Sequence, residues 1–154
     1  MHDPLTIIGL TLLAGGAMPI GGAIARFERI HPDWLDSELR HSVIAFGGGA
    51  LLSAVALVLV PEGSKQLSPL VAAVTMAAGG LAFFGLDIAL NALKSPAAQL
   101  AAMLSDFIPE ALALGAAFAL GESAGPLLAL LIALQNLPEG FNAYRELTAS
   151  SKLG

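Results

Sequence analysis

Ser105-Asp106-Phe107-Ile108-Pro109-Glu110-Ala111 and Gln135-Asn136-Leu137-Pro138-Glu139-Gly140 are two versions of one polar insertion, each set near the middle of an apolar run. Ionisable side chains at bilayer depth are costly, roughly 2.5–3.5 kcal/mol each on insertion scales, and so mark ion or substrate paths. Here Asp106, Glu110 and Glu139 supply carboxylates at similar depth, and Gln135 and Asn136 supply amides. The pattern predicts a divalent-cation site between two helices.

Composition agrees with a bilayer setting. The 154 residues are 56% hydrophobic and 12% charged, outside the range of ordinary soluble domains. There is no cysteine, which excludes disulfides, thiolate metal sites and redox motifs. The net charge of −5 and the lack of a basic face exclude a nucleic-acid partner.

Working outward, five runs are long enough to cross the hydrocarbon core, approximately residues 5–25, 41–61, 69–91, 97–120 and 126–146. The expected fold is all-α, a polytopic transmembrane bundle forming a single domain, with the lipid bilayer as its first partner. Ala23-Ile24-Ala25 resembles a signal cleavage site. The leader lacks Lys and Arg, and the apolar run is too long for a signal core, so a retained helix is expected.

A polar loop is expected from Arg26 to Arg40, holding Trp34 and His31, with His41 starting the second span and Pro61-Glu62-Gly63 stopping it. The link 121–125 is so short that the fourth and fifth spans must be antiparallel neighbours. Arg26, Arg29, Arg40, Lys94, Arg145 and Lys152 fall on one side and only Lys65 on the other. By the positive-inside rule the N-terminus is outside and the C-terminus cytoplasmic, as expected of a multi-pass protein of the cell (inner) membrane.

Residues four apart in a helix lie about 40° apart and about 6 Å along the axis. Asp106 and Glu110 therefore share a face of the fourth span, and Gln135 and Glu139 share a face of the fifth. Asn136 sits a step around, open to a second ion or to a neighbouring helix. Pro109 and Pro138 cannot donate to the carbonyls of Ser105 and Leu134, so kinks are expected in both helices. Broken helices at the midplane are how transporters offer backbone oxygens to an ion.

The ligand set is all oxygen, which favours hard cations on softness alone, although Zn²⁺ and Fe²⁺ also take carboxylates. Two other readings exist: polar groups that only bond helices together, and an intramembrane hydrolase using paired carboxylates. The hydrolase reading finds no HExxH or GxSxG motif, so no enzyme is expected.

Elsewhere the polar residues read as structural. Glu62 is expected to be a solvated helix end, and Asp87 with Asn91 an interface pair. Ser53 is expected to bond its own helix. The glycines at 15–16, 21–22, 47–49 and 79–80, and the stripe Ala111, Gly115 and Ala119, are expected to be packing surface.

With these motifs in view, the chain resembles the ZIP (Zrt/Irt-like) family of divalent-metal transporters. A bacterial branch carries Asp-Gly-Ile-Pro-Glu-Ser followed by Ser-Asn-Leu-Pro-Glu-Gly; Phe46-Gly47-Gly48-Gly49 and Pro61-Glu62 fit as well. The resemblance implies metal ligation by Asp106, Glu110, Gln135, Asn136 and Glu139, with Zn²⁺, Fe²⁺ or Mn²⁺ as the substrate. It also implies that Asp106 replaces a histidine and that Phe107 replaces a ligating asparagine, removing a ligand from a second site. The family has eight helices, and five are read here. A partner chain or homodimer completing the bundle is expected, and a non-transporting metal-binding or assembly subunit is the alternative function.

Overall fold

A computed structural model describes residues 3–28, 33–93, 96–121 and 123–151. His2, Arg29, His31, Lys94 and Lys152 lie outside the described residues. Every element among those described is helical. In order they are α1 (Pro4–Phe27), α2 (Asp33–Ala54), a π-helical turn (Val55–Leu59), α3 (Val60–Gln66), α4 (Pro69–Leu93), α5 (Pro96–Ala119) and α6 (Gly125–Ser151). Three stretches are long and apolar enough to cross a membrane: Pro4–Phe27, Ser37–Lys65 and Pro69–Leu90. α5 and α6 hold the two polar insertions, and both remain helical through their internal prolines, Pro109 and Pro138.

The second helix differs from its expectation at both ends. It begins at Asp33 rather than His41, so the charged residues 33–40 form two helical turns instead of a loop. It also passes the expected stop at Pro61. The π turn explains how: Val60 N–H donates to Val55 O, five residues back, and the widened turn delivers Pro61 into the start of α3. A proline in a first helical turn has no hydrogen bond to lose there. Glu62 then pairs with Lys65 one turn on, at 2.7 Å.

α6 is the centre of the molecule and packs most extensively against α1, then α2. The α1 contact is built from small residues. Ala14, Ala17, Gly21 and Ala25 form its buried stripe, and at two positions only glycine fits. A Cβ on Gly21 would meet the Leu137 carbonyl, and one on Gly140 would meet the Met18 carbonyl. Backbones this close replace, by van der Waals contact, the hydrophobic drive that a bilayer does not supply between helices. The paired positions (14 with 136, 18 with 140, 28 with 145) rise together, so α1 and α6 are parallel.

α2 runs antiparallel to α6: Gly47 abuts Pro138, and Arg40 reaches Glu146. α5 is also antiparallel to α6, as the short link requires. Gly121, at φ +68°, ends α5, with its N–H on Phe118 O. That left-handed residue is a usual helix terminator. Leu114, Ala117 and Phe118 of α5 join Leu128, Ala129 and Ile132 of α6 in the apolar core, with Ala14 of α1 and Val58 of the π turn. α4 stands apart: no residue of its membrane-length stretch is buried.

Candidate metal centre

Four of the five residues singled out in the sequence line one cavity of about 760 Å³: Asp106 and Glu110 from α5, Gln135 and Glu139 from α6. Their helices place them by the four-residue spacing, which keeps each pair on a single face. The rest of the lining mixes apolar side chains such as Leu51 and Phe83 with glycines, Gly47 and Gly48 from α2 and Gly79 and Gly80 from α4. Gly48, Gly79 and Gly80 have no neighbouring atom where a Cβ would stand. They leave open space beside the cavity, while the close-packing role expected of the glycines is seen at Gly21 and Gly47, and Gly140 packs closely as well.

The two polar insertions meet through one contact: Gln135 Nε2 donates to Glu110 Oε1. Gln135 is only 7% exposed, and its Oε1 and the Glu110 Oε2 accept no hydrogen bond from the protein. A buried polar atom left without a partner carries a desolvation cost of about 1–3 kcal/mol. Both oxygens belong to residues that line the cavity. Asp106, Glu110 and Glu139 also lie near enough for their charges to repel one another. Among the described residues, however, no group of three His, Cys, Asp or Glu side chains is drawn together closely enough to hold an ion unaided.

Asn136 takes the second of the two roles open to it. It is fully buried (0% exposed), and its Nδ2 donates to Ala14 O on α1 at 3.0 Å. It therefore ties α1 to the α6 turn that carries Gln135, and its Oδ1 accepts nothing. Phe107 does not line the main cavity; it borders a smaller one together with Gly15 of α1. Ser53 Oγ donates back to Gly49 O at 2.8 Å, the local bond expected of a helical serine. Asp87 of α4 lies within electrostatic reach of Asp106.

One residue of the site was missed in the sequence. Asn142 lines the same cavity, and its Oδ1 is buried without a hydrogen bond. The signal was present: Leu128, Ile132, Gln135, Glu139 and Asn142 follow the 4-3-4-3 spacing of a single helix face, and all five line the cavity. The polar motif ends at Gly140, and Asn142 stands beyond it.

Comparison with protein-family models, with characterised proteins and with solved structures finds no match to this chain.

Proposed function

We propose that the protein is a five-span membrane transporter of divalent cations of the zinc, iron or manganese class. Its cargo would pass through the cavity between α5 and α6. The observation that carries this reading is the convergence of Asp106, Glu110, Gln135 and Glu139 on one cavity, with buried oxygens of Glu110 and Gln135 that no protein group satisfies. The resemblance of the two Pro-Glu insertions to those of ZIP transporters supports the same reading.

In this proposal Glu110 and Glu139 are the central ligands, with Asp106 and Gln135 beside them. Asn136, the fifth residue of the set, stands outside the cavity and would act by holding α1 against the α6 turn that carries Gln135. Pro109 and Pro138 would let both helices bend at ligand depth, exposing carbonyls to the ion as it moves. The N-terminus would face outward and the C-terminus the cytoplasm, since the basic residues Arg26, Arg40 and Arg145 lie at the ends of α1, α2 and α6 that share ion pairs.

The test is uptake of Zn²⁺ or Mn²⁺ into vesicles containing the purified protein. Glu110→Ala and Glu139→Ala are each expected to abolish it while leaving the helical content unchanged. Uptake that persists in both variants overturns the proposal. Binding of ions without uptake would favour the metal-binding or assembly role instead.

A further inference from the structure

We propose that Asn142 is a cation ligand: with Glu139 and Asp106 it forms a second seat in the cavity, one helical turn from the Glu110–Gln135 pair and suited to a hard divalent cation. The inference rests on the transport reading above and adds to it a residue and a position.

The levels follow from the helix directions. Glu110 and Gln135 are in contact, and α5 and α6 are antiparallel. Four residues back along α5 is therefore level with four residues on along α6, which puts Asp106 opposite Glu139. Both lie about 6 Å along the axis from the first pair. Asn142 stands three residues beyond Glu139 on the same face, about 4.5 Å further along the axis.

The side chain is of the right kind. Glu110 is already engaged by Gln135 Nε2, so the first level has one carboxylate oxygen left over. The second level has two carboxylates, and just beyond it stands the Asn142 Oδ1, which accepts no hydrogen bond although the atom is buried. Carboxylate plus neutral amide oxygen is a ligand set for hard cations, and the amide adds a ligand without adding charge repulsion. A purely structural Asn142 would gain nothing from keeping that oxygen unpaired in an apolar wall, and leucine, of similar size, would serve the packing better.

The experiment is a Mn²⁺ titration of the purified full chain, reading free Mn²⁺ by its paramagnetic resonance signal. Asn142→Leu is expected to weaken binding about tenfold or more, the scale that follows loss of a supporting ligand contact, with the metal-free melting temperature equal to wild type or higher. Asn142→Asp, which keeps size and adds charge, is expected to tighten binding and serves as the deciding variant if the leucine protein does not fold. Wild-type affinity in both variants overturns the second seat. If Glu110→Ala still abolishes binding in that case, the transport site stands and Asn142 alone is removed from it. No Mn²⁺ or Zn²⁺ binding by the unmodified protein overturns both.

Discussion

α4 and α6 divide the chemistry of the chain in the opposite way to helices of a water-soluble protein. α4 is apolar through its middle, with Asp87 and Asn91 only towards its end, and is bare along its membrane-length stretch. α6 carries Gln135, Asn136, Glu139 and Asn142 through its middle and is the most enclosed helix of the molecule. In water the enclosed helix is the hydrophobic one, because burial is driven by transfer of apolar surface. In a bilayer that drive disappears and the cost falls on polar groups facing lipid, so the polar helix moves inside. The contrast also explains how each helix is packed. α6 is held by small residues and close backbones, whereas α4 has no comparable contact to any neighbour.

The largest test of that contrast is a charge placed on the bare helix. Leu81 sits at the middle of α4 and is 71% exposed. If the surface around it is lipid, Leu81→Lys should cost about 2.5–3.5 kcal/mol of membrane insertion. The expected result is a sharp fall in the fraction of α4 that spans the bilayer, read by glycosylation-site mapping. Normal insertion would mean that this face meets water or protein, and the inversion described above would fail.

A smaller effect is expected on the enclosed side. Gly140→Ala puts a Cβ against the Met18 carbonyl of α1, a backbone atom that can yield only if the helix moves. Overpacking of this kind costs about 1–3 kcal/mol. Thermal denaturation in detergent should show the loss, and the same measurement on Gly79→Ala should show none, since nothing stands near a Cβ there. Equal stability of the two variants would remove the claim that α1 and α6 are locked by backbone contact.

These two cases also show which parts of the molecule were legible from residues alone. The helical class, the rough extents of every long helix but the second, and the shared face of each Pro-Glu insertion follow from hydropathy and four-residue spacing, both of them local signals. The dominance of α1 over α5 as the partner of α6 did not follow. It depends on the registration of Ala14, Ala17, Gly21 and Ala25 against Gly140, and small residues on one helix do not name their partner. The extension of the second helix through Pro61 needed a π turn, which inserts one residue without any marker in composition. Asn142 lies beyond the end of the Pro-Glu motif, on a helix face that continues past it, so the motif alone does not mark it.

Asn136 offers a finer discrimination, within α6 itself. Its bond to Ala14 O joins the two most closely packed helices. Hydrogen bonds between membrane helices average about 0.6 kcal/mol, so Asn136→Leu should lower stability by less than about 1 kcal/mol. Binding of Mn²⁺ should be retained, because the residue lies outside the cavity lined by Glu110 and Glu139. A loss of binding as deep as that of Glu110→Ala would instead make Asn136 a ligand, and α1 would become part of the ion path.

The smallest expected effect lies where α6 leaves its enclosed setting. Arg145 and Glu146 are adjacent but make ion pairs of different character. Arg145 meets Glu28 at 3.3 Å with side chains 23% and 16% exposed, and Arg40 meets Glu146 at 3.0 Å with 45% and 44% exposed. Exposed pairs contribute about 0–1 kcal/mol, since water and salt screen the charges and two long side chains lose freedom. Glu146→Gln should therefore shift the melting temperature little, and less still at high salt, where screening already weakens the pair. Glu28→Gln leaves the Arg145 charge in a more enclosed place, over the Phe141 ring at 5.6 Å, and should cost more. Larger damage from Glu146→Gln than from Glu28→Gln would show that the end of α6 is held chiefly by α2, and that the close packing of α1 against α6 does not extend to this end of the bundle.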